Sequence, residues 1–237
     1  MTLDERYDRV RKSVYRFRHW IPLVSMATAS VALLCSTPFM VYDGIVFGAV
    51  CMACSCIGFA IRWQALSQAA YRRKRVKSDP EAFPEPFPVE GIYSRMRYPL
   101  HAGGFLVWLG PILFTGVGWF MVAASLLYAG CVWLTMSREE ELRIEKYGDR
   151  YRAWCADTPA VIPHFGKSGQ PACGRSWIAA WRGDVGVFWS TAVAFVWLGV
   201  LKFRMIDLCW DVPRGWSVAG GIALFAWICS RLSRARR

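Results

Sequence analysis

The apolar residues of this chain fall into six long blocks separated by short polar segments. The blocks occupy residues 20–42, 45–61, 105–115, 119–136, 185–201 and 216–230. A helix needs about 20 apolar residues to cross the hydrocarbon core of a bilayer. The third block approaches that length only if residues 100–104 are counted with it. The pattern predicts an all-α, polytopic membrane helical bundle with about six transmembrane helices.

Lysine and arginine concentrate in four segments. Residues 1–19 hold six of them, 62–98 hold eight, 137–184 hold eight and 231–237 hold four, of 29 in the chain. With six spans these segments fall on one side of the membrane, which the positive-inside rule makes cytoplasmic. We therefore expect a multi-pass protein of a bacterial inner membrane or the endoplasmic reticulum. Both termini, and a cofactor-binding cap built from 62–98 and 137–184, would be cytoplasmic.

The composition narrows the possible functions. The chain is 55% hydrophobic, with a mean hydropathy of +0.25 and a net charge of +12. Its basic residues flank the apolar blocks and do not form a groove with interleaved aromatics, so we expect no nucleic-acid partner. The nine cysteines are odd in number and lie mostly inside apolar blocks. They predict neither a disulfide framework nor a metal site, and Cys51 and Cys54 are interpreted as packing residues.

These features divide the chain into four parts. Residues 1–19 form a basic cytoplasmic N-terminus, 20–165 a membrane core, 166–184 a cytoplasmic linker, and 185–237 a C-terminal two-helix extension with a basic tail. The proline-rich run 78–88 is expected to be a strap across the cap, because repeated prolines exclude a regular helix.

The first of two polar motifs runs from Gly91 to Gly103 and reads GIYSRMRYPLHAG. Gly91 and Pro99 predict an irregular backbone before the third apolar block. Arg97 and His101 are then expected at the entrance to the membrane. The alternative interpretation is an interfacial anchor, since Arg and Tyr often mark the ends of membrane helices.

The second motif begins with three consecutive carboxylates, Glu139, Glu140 and Glu141. Ser137 is expected to cap a new helix and to place them in its first turn, where the helix dipole favours negative charge. That placement explains one or two of the glutamates. Three carboxylates opposite the basic segment 95–97 also suit a positively charged or hydroxyl-rich ligand, such as a sulfonium nucleoside with a ribose diol.

In their order and spacing the motifs resemble the isoprenylcysteine carboxyl methyltransferase and phospholipid methyltransferase superfamily of integral-membrane, S-adenosylmethionine-dependent enzymes. The first motif is matched by Gly91, Tyr93, Arg97, Pro99 and Gly103. The second is matched by Glu139, Glu140, Gly148, Tyr151, Pro159, Ile162 and Pro163, with Tyr147 and Trp154 as aromatic replacements. The resemblance covers roughly residues 45–165. It departs at Tyr98, where the family has His, and at His101, where it has Tyr.

The resemblance implies a cofactor and a site. S-adenosylmethionine would be bound by residues of both motifs, namely Tyr93, Arg97, Tyr98, Pro99, His101, Gly103, Glu139, Glu140 and Tyr151. The segment Pro159–Pro163 would close over it. Catalytic or acceptor-orienting roles are expected for Arg97, His101, Arg143 and Arg150. An Arg fork matches a carboxylate or phosphate, while His101 or a glutamate would take the proton of an amine or hydroxyl acceptor.

The implied activity is methyl transfer to a lipid-linked or membrane-partitioned acceptor that enters from the bilayer. The acceptor would be of the isoprenylcysteine carboxylate or phospholipid type, and the motifs, which belong to the cofactor, leave its identity open. Two alternatives remain open. One is an NAD(P)H-dependent membrane reductase on a related scaffold, and the other is a non-catalytic membrane protein that has kept the scaffold.

Overall fold

The computed structural model describes residues 3–18, 20–36, 45–78, 87–164, 172, 174–207 and 214–235. Within these ranges the chain is all-helical, with no β-strand. The helices are α1 (Leu3–Phe17), α2 (Ile21–Cys35), α3 (Ile45–Ser78), α4 (Pro99–Phe114), α5 (Gly118–Tyr147), α6 (Asp149–Asp157), α7 (Trp177–Asp207) and α8 (Arg214–Ala235), with a 3₁₀ turn at Gly91–Ser94. The prediction of an all-α membrane bundle is confirmed.

Within the described residues, fewer helices than the six predicted have the length and apolar composition of a membrane span. Three are long and apolar enough, at Val46–Lys74, Gly118–Tyr147 and Trp177–Lys202, and α1 with α2 make a fourth if they are counted as one broken span. The third predicted span is α4, whose 16 residues reach about 24 Å at 1.5 Å per residue. This length is shorter than the hydrocarbon core, which is about 30 Å thick. Helix α8 has 22 residues, and Gly220–Ser230 is a short apolar stretch within it.

Helix α5 continues past the point where the sequence predicted a break. Ser137 was expected to begin a new helix, but α5 is continuous from Gly118 to Tyr147. The Ser137 hydroxyl donates to the carbonyl of Trp133, four residues earlier, at 3.0 Å. The hydroxyl is thus satisfied inside the helix and caps nothing, so the expectation of an N-cap was wrong. Glu139, Glu140 and Glu141 therefore lie within a helix, where successive side chains point about 100° apart.

The chain divides into two compact units. Unit 1 comprises Met1–Arg18, Gly58–Phe105 and Ala129–Gly183, and unit 2 comprises His19–Ile57, Leu106–Tyr128 and Asp184–Arg237. Unit 2 has an apolar core formed by Ala29, Ala32, Leu33, Ile112, Val117, Phe120, Leu198 and Leu201. Several of its buried polar side chains are hydrogen-bonded within it. The Lys202 ammonium, for example, donates to the Phe114 carbonyl at the end of α4 at 2.9 Å.

In unit 1 a tight turn leads into α4. Gly91 has a φ of +61°, a backbone conformation that favours glycine, and any side chain there would overlap the Gln68 amide. The Gln68 side-chain oxygen instead accepts the Ile92 backbone N–H at 2.9 Å. This contact fixes the turn that carries Tyr93.

The segment expected to close over a ligand runs beside the first motif. The backbone N–H groups of Arg97 and Tyr98 donate to the carbonyls of Pro159 and Ala160 at 2.9 and 3.0 Å. Residues 159–164 therefore hold the start of α4 through main-chain hydrogen bonds. Most of the proline-rich strap (residues 79–86) and most of the predicted linker before Gly174 lie outside the described residues.

Gly103 lies at a close contact between α4 and α3. A Cβ atom there would come within 2.6 Å of the Arg62 Cγ and 2.7 Å of the Gly58 carbonyl oxygen. The Arg62 guanidinium also donates to the Leu100 carbonyl at 3.2 Å. The two helices thus approach each other closely because residue 103 has no side chain.

We expect Gly103→Ala to lower stability by about 1–3 kcal/mol, because the new methyl group meets backbone that cannot move aside. The matched control is Gly130→Ala on α5, where a Cβ meets nothing within 4 Å. That change should be neutral or stabilise by up to about 1 kcal/mol. Thermal denaturation in detergent measures both, and equal midpoints for the two variants would contradict the close contact.

Candidate functional site

A cavity of about 510 Å³ lies within unit 1. It is bounded by the start of α4, the C-terminal part of α5 and α6, together with residues 87–93. Its lining residues are Phe87, Pro88, Tyr93, Arg97, Tyr98, Pro99, Leu100, His101, Glu139, Leu142, Arg143, Lys146, Tyr147, Tyr151 and Trp154. Its volume falls within the roughly 300–1,000 Å³ of small-molecule sites.

Most residues predicted for the site line this one cavity. They are Tyr93, Arg97, Tyr98, Pro99, His101, Glu139, Arg143 and Tyr151. Three other predicted residues do not line the cavity. Glu140 forms an ion pair with Arg97, Gly103 packs on α3, and Arg150 is exposed on α6. The two motifs therefore contribute to the same cavity, although not every predicted residue faces it.

Glu139 joins the two motifs at the cavity wall. One of its oxygens lies 3.1 Å from His101 Nε2 and accepts a hydrogen bond from the Arg143 guanidinium at 3.2 Å. The Glu139 side chain is 20% exposed and that of His101 is 23% exposed. Both remain open to the cavity, so a ligand can reach the carboxylate and the imidazole.

Arg97 is held from several directions. Its guanidinium forms an ion pair with Glu140, and its backbone N–H donates to the Pro159 carbonyl. Burial alone would lower the pKa of Arg97, but the neighbouring Cys155 and Glu140 outweigh it and the pKa is raised. Arg97 therefore stays a fixed cation at the cavity wall.

Glu141 engages a third part of the chain. Its carboxylate lies 2.9 Å from the Arg11 guanidinium on α1 and also pairs with Arg138. The three consecutive glutamates thus contact three different segments. Glu139 reaches α4, Glu140 reaches the turn before it, and Glu141 reaches the N-terminal helix.

A pair of tyrosine hydroxyls lies beside Arg143. The hydroxyl oxygens of Tyr98 and Tyr151 are 3.3 Å apart, and the Arg143 guanidinium is 3.5 Å from the Tyr151 oxygen. Burial raises the pKa of Tyr98, as does its hydrogen bond to Tyr151. Burial also raises the pKa of Tyr151, although Tyr98 and Arg143 oppose the shift. Both phenols therefore remain protonated near neutral pH and can donate hydrogen bonds.

One wall of the cavity is aromatic. The Phe87 ring lies 5.5 Å from Tyr147, 5.1 Å from Tyr151 and 5.1 Å from Trp154, measured between ring centroids. Such rings can stack on a planar base or hold a cation against their faces. The sequence prediction included only Tyr151 of these four. The i, i+4, i+7 spacing of Tyr147, Tyr151 and Trp154 was the available signal for the others on this wall, but nothing marked Phe87.

The charged lining is mostly cationic. Arg97, Arg143 and Lys146 face the cavity with one carboxylate, that of Glu139. The site can therefore take a ligand that carries an anionic group together with an aromatic or cationic part. Among the described residues, no group of three or more His, Cys, Asp or Glu side chains is placed to hold a metal ion.

No protein-family model, curated protein or solved structure matches this chain. The family resemblance therefore rests on the residues of the two motifs, and its implications stay predictions.

We expect Glu140→Gln to lower stability by about 1–3 kcal/mol, because it removes the charged partner of the mostly buried Arg97. An exposed ion pair would contribute only about 0–1 kcal/mol. The control is Glu145→Gln, the same change at an exposed position of α5. Thermal denaturation of the purified protein measures both. If the Glu140 and Glu145 variants unfold at the same temperature, the ion pair between Arg97 and Glu140 does not stabilise the protein.

Proposed function

We propose that this chain is an integral-membrane enzyme that transfers the methyl group of S-adenosylmethionine to a lipid-linked or membrane-partitioned acceptor. The observation that carries the proposal is the meeting of the two motifs in one cavity. His101 and Tyr98 of the first face Glu139 and Tyr151 of the second. The proposal includes a multi-pass topology with both termini in the cytoplasm, which the distribution of Lys and Arg supports.

The lining groups suit the parts of S-adenosylmethionine. The aromatic wall of Phe87, Tyr147 and Trp154 suits its purine and its sulfonium, since ring faces attract cations. The Glu139 carboxylate can accept hydrogen bonds from a ribose diol or an ammonium group, while Lys146 suits a carboxylate. When bound, the cofactor supplies a methyl carbon already activated by sulfonium. The chain's own residues then need only align the acceptor and exclude water.

Two cations have different roles in this proposal. Arg97 is fixed by Glu140 and by the Pro159 carbonyl, so it serves as a rigid part of the wall. Arg143 contacts Glu139 and Tyr151 of the second motif at 3.2 and 3.5 Å. Its guanidinium also lies 5.1 Å from the centre of the Tyr98 ring in the first motif, and therefore between the two motifs. Arg143 is therefore the group to orient an anionic acceptor, while Arg150, outside the cavity, has no such support.

A reductase that uses a nicotinamide cofactor is the second candidate. The observation that favours it is the excess of cationic lining groups, Arg97, Arg143 and Lys146, which would also suit nucleotide phosphates. Direct binding measurements distinguish the two, because the cofactors differ and the acceptor is not needed.

We expect purified full-length protein to bind S-adenosylmethionine in a calorimetric titration, and Glu139→Gln to weaken binding by at least about tenfold. A hydrogen bond to a charged group contributes about 1.5–3 kcal/mol. Glu145→Gln is the matched control and should bind like the parent. Binding of NADPH instead would favour the reductase. Binding of neither cofactor by a folded parent would overturn both proposals.

We expect Arg143→Ala to raise the KM for an anionic lipid acceptor, or to lower turnover, by at least about tenfold, since a charge-assisted pair is lost. Arg143→Lys should recover part of the loss because it keeps the charge without the fork. Arg152→Ala, at an exposed position of α6, is the control. Transfer of labelled methyl from S-adenosylmethionine to extracted membrane lipids measures all three. Unchanged transfer by Arg143→Ala would remove the acceptor role of Arg143.

A further inference from the structure

Helix α1 leaves its apolar side uncovered. Tyr7, Val10 and Phe17 are 49%, 52% and 56% exposed, while the side chain of Arg11 is only 12% exposed. A helix of a soluble protein normally does the opposite, since its apolar stripe faces the core and its charges face water. The exposed side of α1 therefore needs a partner other than water.

The exposed apolar residues belong to a continuous stripe that also includes the partly buried Val14. Tyr7, Val10, Val14 and Phe17 follow one another at intervals of three, four and three residues. Side chains at this spacing lie on one face of a helix. These residues thus form one apolar surface along most of α1 and are not isolated apolar side chains.

Arg11 lies one turn after Tyr7, with its guanidinium 5.7 Å from the centre of the Tyr7 ring, and attaches α1 to the rest of unit 1 from the edge of the stripe. The Arg11 guanidinium forms ion pairs with Asp8 in the same helix and, at 2.9 Å, with Glu141 on α5. This polar contact holds α1 at one edge of the stripe, and Val10 and Phe17 remain exposed beside it. The attachment therefore leaves most of the stripe accessible to a partner.

The charges around the stripe identify the partner's chemistry. Exposed basic side chains occur along the whole helix and just beyond it, at Arg6, Arg9, Lys12, Arg16 and Arg18. A basic helix with one apolar face is the composition of helices that lie in the headgroup layer of an anionic bilayer. The chain also enters the apolar helix Ile21–Cys35 only a few residues after α1 ends.

We propose that α1 lies on the surface of an anionic phospholipid bilayer. The stripe of Tyr7, Val10, Val14 and Phe17 enters the boundary between headgroups and acyl chains, and the flanking basic residues contact lipid phosphates. Arg11 meanwhile holds the helix to Glu141. This inference does not depend on the reaction that the cavity performs.

Amide hydrogen exchange of the full-length protein in lipid nanodiscs tests the proposal. One preparation contains phosphatidylcholine alone, and the other also contains phosphatidylglycerol. We expect the amides of α1 to exchange at least about fivefold more slowly with the anionic lipid, the effect expected for one basic residue near such a surface. The exchange rates of amides in α4 and α6 should be the same in both lipids, which checks that the rest of the protein is unchanged.

Three variants sharpen the test. Arg6→Gln/Arg16→Gln should lose most of the difference between the two lipids, whereas Arg152→Gln/Arg182→Gln, which removes two exposed charges elsewhere, should keep it. In the Val10→Gln/Phe17→Gln variant, the amides of α1 should exchange rapidly in both lipids because the apolar stripe is lost. Glutamine has a high helix propensity, so the substitutions do not by themselves unfold α1.

Some outcomes would overturn the proposal. One is equal protection of α1 in both lipids, and another is a Val10/Phe17 variant that behaves like the parent. Protection that appears only in nanodiscs holding two copies of the chain would assign the stripe to a contact between copies instead.

Discussion

Three consecutive carboxylates on one continuous helix hold unit 1 together. Because side chains in an α-helix turn by about 100° per residue, neighbouring residues cannot serve the same partner. Glu139 contacts His101 on α4, Glu140 contacts Arg97 in the turn before α4, and Glu141 contacts Arg11 on α1. Each carboxylate is matched by a cation or an imidazole from a different segment. This short run of α5 therefore places both the cavity wall and the N-terminal helix.

The ion pairs also explain the character of the cavity. Charges that face a partly buried space require partners, and here Glu139 has His101 and Arg143 while Arg97 has Glu140. The ion pairs fix the positions of these groups, and polar groups in fixed positions act strongly on a bound molecule. The aromatic wall around Phe87 adds rigid, flat surfaces, and the neutral phenols of Tyr98 and Tyr151 add donors.

The parts of the structure that depend on local sequence were predictable. Block lengths gave the all-α membrane class, and the two motifs marked residues such as Tyr98 and Glu139 that line one cavity. Contacts that depend on distant partners were not predictable. Ser137 has the residue type of an N-cap, yet its hydroxyl bonds the Trp133 carbonyl inside the helix. Nothing in the sequence pairs Phe87 with Trp154 or Arg11 with Glu141, since these contacts arise only when separate segments pack. Apolar composition also does not fix the length of a helix, so the six apolar blocks correspond to only three or four helices of spanning length in the described part of the chain.

The continuity of α5 has a consequence for how this protein can vary. Inserting or deleting one residue between 137 and 141 would rotate the downstream carboxylates by about 100° relative to the rest of the helix. Each carboxylate would then point toward the segment that the adjacent glutamate contacts, or toward no partner. A substitution at one glutamate disturbs one contact, whereas a shift in register disturbs several at once. Natural variation in this stretch should therefore consist of replaced side chains at constant length.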